Sequence, residues 1–168
     1  ANLHYKLVKY DLVEEEYNEL LEIFRTLAER NPAAFLPDVA RILCYIAIIH
    51  YDLHKYELAE EEFNEAMSIY GNLAEGSTNI YNSEIASALN SLAYCQYELD
   101  KYDLVISTIE EAIRLYPITE YYDSKGEFLM RLGKTDEAKA VYSQIIEMEP
   151  TYFDDNHTDF YKLLFGEE

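Results

Sequence analysis

A nine-residue segment of this chain returns at a fixed interval, and that interval restricts the fold more than any other feature. Lys9-Tyr10-Asp11-Leu12-Val13-Glu14-Glu15-Glu16-Tyr17 recurs as Lys55-Tyr56-Glu57-Leu58-Ala59-Glu60-Glu61-Glu62-Phe63, 46 residues on. A further 46 residues on it recurs in shortened form as Lys101-Tyr102-Asp103-Leu104-Val105. A weaker copy, Lys134-Thr135-Asp136-Glu137-Ala138, follows after 33 residues. Between the copies, Leu27-Ala28-Glu29 returns as Leu73-Ala74-Glu75, and Val39-Ala40 as Ile85-Ala86, both at 46. Independent matches at one period mark a stack of similar units, each burying its apolar face against its neighbours.

Each unit holds two helical patterns. Tyr56, Ala59, Phe63, Ala66 and Tyr70 fall three and four residues apart, which places them on one helical stripe. Equivalent stripes are Tyr10, Val13, Tyr17, Leu20, Phe24, then Tyr102, Val105, Ile109, Ala112, Tyr116, then Thr135, Ala138, Tyr142, Ile145. In the other helix Leu43, Ile46, Ala47 and His50 match Leu89, Leu92, Ala93 and Gln96, and small Ala47, Ala93 and Gly126 recur where helices would cross closely. Asn31-Pro32, Pro37, Gly76-Ser77, Asn82-Ser83, Pro117, Gly133 and Pro150 supply the breaks. The spacing predicts helices near 1–8, 11–30, 37–53, 56–75, 83–99, 102–116, 119–132, 135–148 and 153–165, the first being the tail of a cut helix.

Composition narrows the class of partner. The formal charge is −20, from 33 acidic and 13 basic side chains, so nucleic-acid phosphates and anionic membranes are repelled. A field of that sign steers cationic partners inward. Hydrophobic residues make up 49% of the 168, which argues against disorder. No run of about 18 apolar residues is apparent, so no membrane-spanning segment is expected. Two cysteines, Cys44 and Cys95, are too few for a disulfide framework, and a reducing, cytoplasmic location is the simpler reading. An export signal upstream of Ala1 would lie outside this sequence.

Tyr122, Gly126, Ala138, Tyr142 and Pro150 together resemble the tetratricopeptide pattern of aromatic, glycine, alanine, aromatic and proline. The 46-residue units look like the long form of that repeat, as in kinesin-light-chain-like arrays and bacterial repeat proteins. Phe24 to Pro32, followed by Leu36-Pro37-Asp38-Val39-Ala40, is typical of the bacterial version. Gln96 and His50 stand where an aromatic is usual, and Thr135 departs in the last copy. The resemblance covers about residues 1–150 and implies an all-α, right-handed superhelical solenoid of antiparallel helix pairs, the first helix of each pair lining a concave face. One domain over 1–168 is expected, with repeats at about 1–30 (truncated), 37–75, 83–116 and 119–150. A capping helix over 153–165, carrying Phe160, Leu163, Leu164 and Phe165, would close the last pair, and the array would continue upstream as a piece of a longer protein.

Catalytic signatures are absent: no glycine-rich phosphate loop, no G-x-S-x-G elbow and no C-x-x-C. The chain is therefore not expected to be an enzyme or to hold a cofactor. His50 and His54 lie four apart, a spacing that suits zinc, yet no third ligand is evident and His4 repeats His50 at 46, so a packing role is expected. Asp154 to Asp159 imitates a calcium loop but lacks the turn glycine and the closing glutamate, and a helix cap is expected instead. Cys44 and Cys95 are expected to pack as small apolar groups.

Carrying the family's groove-facing positions onto this chain selects Tyr5 and Lys6, then Arg41, Cys44, Ile48, Tyr51 and Asp52. The third copy gives Ser87, Asn90, Tyr94, Tyr97 and Glu98, and the fourth Glu120, Asp123, Glu127, Met130 and Arg131. Tyr5, Tyr51 and Tyr97 are 46 apart, a tyrosine ladder flanked by acids. Such a wall suits a protein or peptide segment with basic and aromatic side chains. Only Lys6, Arg41 and Arg131 are basic here, so the clamp for a peptide's terminal carboxylates found in chaperone adaptors is not expected. The expected function is a peptide-binding scaffold. The alternatives are a sensory or regulatory repeat domain of a larger bacterial signalling protein, or a self-associating structural solenoid.

Overall fold

The computed structural model describes the backbone of residues 2–74, 80–155 and 159–166, and the side chains within them except those of 2–9, 11, 154, 155 and 159. Every described element is a helix: α1 (Asn2–Arg30), α2 (Pro32–Asp52), α3 (Tyr56–Ala74), α4 (Asn82–Glu98), α5 (Tyr102–Leu115), α6 (Thr119–Arg131), α7 (Thr135–Met148), α8 (Tyr152–Asp155) and α9 (Asp159–Phe165). Helices α2–α3, α4–α5 and α6–α7 form the pairs, and α1, α3 and α5 each pack against the first helix of the pair that follows. The result is a helical solenoid closed at one end by the two short helices. The break at Gly76-Ser77, residues 156–158 and the side chains of His4, Asp154, Asp155 and Asp159 lie outside the described residues.

The repeats hinge on one backbone conformation. His54 (φ 59°), Asp100 (φ 57°) and Gly133 (φ 74°) adopt left-handed geometry at equivalent positions. After each, a backbone N–H reaches back to a helix carbonyl: Lys55 N to His50 O, Lys101 N to Gln96 O and Lys134 N to Leu129 O, all 2.8 Å. These bonds satisfy carbonyls that the helix end leaves without a partner and fold the chain back on itself.

The first copy departs from expectation. Sequence spacing predicts a break between residues 8 and 11, but α1 runs unbroken through it. Val8 stands where His54 and Asp100 stand in the later copies. A β-branched side chain is strongly disfavoured at positive φ, so the turn cannot form there and the helix continues.

Burial follows the apolar stripes in the later copies. Ala59, Phe63, Ala66, Val105, Ile109, Ala112, Ala138, Tyr142 and Ile145 are all buried, as are Leu43, Ile46, Leu89 and Leu92. Each large apolar side chain so buried stabilises the fold by about 1.5–3 kcal/mol. Ala47 and Ala93 sit fully buried at helix crossings, and a Cβ added at Gly126 would lie 2.7 Å from Tyr142 Cζ. Small residues at those positions are thus a condition of the close approach.

Elsewhere the stripes need correction. In α1, Leu21 and Ala28 are buried with Tyr17 and Phe24 packed beside them while Leu20 is exposed, so the buried face is turned from the predicted stripe. Tyr102 and Tyr116 are exposed at the two ends of α5. The cap comes as two short helices rather than one over 153–165; Phe160, Leu164 and Phe165 pack on the last core, whereas Leu163 faces solvent. Helix α2 is, against expectation, long and apolar enough to cross a membrane by length and composition. Its Val39, Leu43, Ile46 and Ala47 are instead buried in the helix stack, which explains its hydropathy.

Charged groups join the repeats. Lys55 Nζ meets Glu14 Oε2 at 3.0 Å, and 46 residues on Lys101 Nζ meets Glu60 Oε2 at 2.5 Å. Buried His50 lies between Glu62 Oε2 (2.8 Å, at Nδ1) and Glu14 Oε1 (3.2 Å, at Nε2). Burial alone would push Glu14 up, but hydrogen bonds from Lys55 and His50 outweigh it and hold the carboxyl below its usual range. Burial holds Glu62 above its usual range.

Candidate functional site

Helices α2 and α4 stand side by side as first helices of successive pairs, with α3 beneath them. Two openings run along the seam between them. One, of about 350 Å³, is lined by Arg41, Cys44, Tyr45, Ile48, Phe63, Tyr70, Ser83, Glu84, Ser87, Ala88 and Ser91. The other, of about 380 Å³, is lined by Ile48, Tyr51, Phe63, Ser91 and Tyr94. They share Ile48, Phe63 and Ser91, so they adjoin. Arg41, Cys44, Ile48, Tyr51, Ser87 and Tyr94, all selected from sequence, are brought together here.

Local chemistry explains the shape. Ser83, Ser87 and Ser91 follow each other at four-residue intervals on α4, one short-side-chained face. Phe63 forms an apolar floor, and Tyr45 and Ile48, each nearly half exposed, form the opposite wall. Arg41 is ion-paired with Asp38 on its own helix, so its charge is already offset within α2. Burial pushes the Tyr51 hydroxyl up to about 12, with the charge of Glu98 adding to the shift. Burial likewise takes the Cys44 and Cys95 thiols to about 12, so neither free thiol is a nucleophile near neutral pH.

Beyond Ser87 and Tyr94, the other predicted residues on α4 and α6 line neither opening. Tyr94 donates its hydroxyl to Glu127 Oε2 at 3.1 Å, and Glu127 Oε1 accepts from Arg131 Nε at 2.9 Å. Tyr97 lies under the Arg131 guanidinium (5.3 Å to the ring centre) and beside Tyr102 (5.3 Å) and Phe128 (6.0 Å). Arg131 also covers Phe160 of the cap at 5.9 Å. Met130 packs into the terminal core. Asp123 Oδ2 accepts from Tyr152 at 3.3 Å, and burial raises its carboxyl to about 6. The Oδ1 atoms of Asn90 and Asp123 are buried with no donor among the described residues. Asp52 accepts from Tyr10 at 3.0 Å, and Glu98 is exposed. The side chain of Tyr5 lies outside the described residues, so the ladder is described at Tyr51 and Tyr97 alone.

Sequence reasoning selected Ser87 but missed Tyr45, Phe63, Tyr70 and the two serines that flank it, Ser83 and Ser91. The four-residue serine spacing was a legible signal for the last; Phe63 and Tyr70 were legible only as core. A separate opening of about 850 Å³ along α1 is lined by Glu14, Glu15, Asn18, Glu19, Glu22, Ile23 and Lys55 and contains no predicted groove residue. His50 and His54 do not converge: His54 Nδ1 pairs with Tyr56 Oη at 2.6 Å, and the carboxylates at His50 sit on opposite ring nitrogens. Among the described residues no group of three or more His, Cys, Asp or Glu side chains is placed to hold a metal ion.

A sequence model of the tetratricopeptide repeat matches residues 119–152, the α6–α7 pair with the start of the cap. No curated protein matches the chain by sequence. Among solved structures it is similar to BtubC (BKLC) from P. vanneervenii, with TM-score 0.70 and 20% identity over 94% of this chain and 63% of that one. It is also similar to MamA, with TM-score 0.60 and 15% identity over 90% of this chain and 77% of that one. A third, YrrB, is described as a tetratricopeptide protein with an unusual peptide-binding site, with TM-score 0.56 and 19% identity over 95% of this chain and 76% of that one. The chain thus spans less than two thirds of the length of BtubC. It has the tetratricopeptide solenoid fold, and residues 119–152 carry that family's repeat.

Proposed function

We propose that this protein is a binding scaffold whose groove, along the seam of α2 and α4, takes an extended peptide or protein segment with basic and aromatic side chains. The observation behind this reading is the pair of adjoining openings, apolar at the floor and hydroxyl-lined on one wall, whose lining includes six of the positions that the family resemblance implies. Support for the class of partner comes from the fold, from YrrB, which has a peptide-binding site, and from the net charge of −20. Glu84 at the groove, with Glu98 near enough to act on Tyr51, favours a cationic segment over an acidic one.

A peptide array read with purified protein tests it. Basic-aromatic peptides bind, Ile48→Glu weakens them by about tenfold or more, and Leu104→Glu, an exposed change on α5, leaves them unchanged. A blank array, or equal loss in both variants, overturns the groove. Self-association is the second reading, favoured by exposed Leu12, Leu20 and Ile23 on α1. Sedimentation over a concentration series separates the two, since only self-association makes the mass rise.

A further inference from the structure

Ile48 and Tyr94 occupy the same repeat position, 46 residues apart, and behave differently. Tyr94 leans from α4 onto α6, its ring centre 4.6 Å from that of Phe128. Its hydroxyl donates to Glu127 at 3.1 Å and lies 3.4 Å from Ser124 Oγ. The chain's own phenol therefore bridges the α4–α6 seam. Ile48 has no such reach; its side chain is 45% exposed, and the α2–α4 seam stays open above Phe63. The walls of the two seams correspond. Phe63 on α3 matches Ile109 on α5 at 46 residues, and Ser91 on α4 matches Ser124 on α6 at 33.

We propose that the α2–α4 seam takes the side chain of a tyrosine from a partner peptide, its hydroxyl directed to Ser91, as Tyr94 occupies the next seam. This rests on the groove reading above and names its anchor. An apolar floor with a hydroxyl-bearing wall matches a side chain that is apolar in body and polar at the tip. The rim sets what flanks the anchor. Glu84 lines the mouth, Glu98 lies close enough to raise Tyr51, and Arg41 is already paired with Asp38. That excess of negative charge selects Lys or Arg beside the tyrosine.

The test is an NMR titration of the full chain with p-cresol and with toluene, followed at the backbone amide of position 91. Saturable shifts with p-cresol are expected, with toluene about fivefold weaker for want of one hydrogen bond. Ser91→Ala should bring p-cresol down to the level of toluene. Ile48→Tyr should close the seam and abolish binding while the thermal melt stays cooperative. No saturable shift, toluene as good as p-cresol, or Ile48→Tyr binding as before overturns the anchor. A random peptide library separates the two readings. Groove-binding sequences without a fixed tyrosine overturn the anchor and leave the groove standing. Binding of p-cresol with no peptide selected supports the phenol seam and overturns the groove.

Discussion

The α2–α4 seam and the α4–α6 seam are built from one repeat, yet the first is open above Phe63 and the second is bridged by Tyr94. The difference lies in single side chains at shared positions. Isoleucine in place of tyrosine leaves a gap on one side. On the other, Arg131 lies over Tyr97 and Phe160 and ties the wall to the cap. Stacked repeats give every seam the same backbone, so the side chain at the wall decides whether a seam serves stability or stays available to a partner.

The floors of the two seams offer the largest test. Phe63→Ala removes a buried ring beneath the open seam and should cost about 3–5 kcal/mol in chemical denaturation. Ile109→Ala beneath the bridged seam should cost about 2–4 kcal/mol, because a smaller buried side chain is removed. A smaller cost at Phe63 than at Ile109 would mean that the open seam is not part of the packed core.

Gly126→Ala probes the bridged end next, since its Cβ would press on the buried Tyr142 ring. A loss of about 1–3 kcal/mol in a urea melt is expected. At the wall itself, Tyr94→Phe removes the hydroxyl bonded to Glu127 and should cost about 1 kcal/mol. Its repeat counterpart, Ile48→Val, should cost under about 0.5 kcal/mol because that side chain is half exposed. Equal effects would erase the distinction between the seams.

Asp123, beside the bridged seam, gives the smallest and most specific effect. Its carboxyl is raised to about 6 by burial, against 3.8 in its ordinary state. The unfolded chain releases this proton first, so stability falls as pH rises from about 4 through 6 and is level above. Asp123→Asn should therefore stabilise the protein at pH 7, by about 1 kcal/mol or less given its partial exposure. Thermal melts at pH 7 and pH 4 check the sign, because the gain should vanish at the lower pH.

Much of the architecture was legible from spacing. The period located the turns, and Ala47, Ala93 and Gly126 marked the close crossings because a larger side chain would collide there. Val8 was a legible warning that the first turn would fail, since only its backbone consequence separates it from His54 and Asp100. The partnership of His50 with Glu14 and Glu62 was not legible, because those carboxylates come from two other helices. Tyr97 read as a rung of a binding ladder; its place under Arg131 depends on α6 and the cap, which periodicity along α4 does not report.

By itself, then, the sequence determined the repeat, the pairing of helices and the buried face of the second helices in the later copies, since these follow from periodicity and from side-chain size along one segment. Only the tertiary structure decided which seam stays open, because that depends on how far a side chain on one helix reaches toward the next. Ile48 and Tyr94 share a register, and their different reach across the seam separates a gap from a bridge.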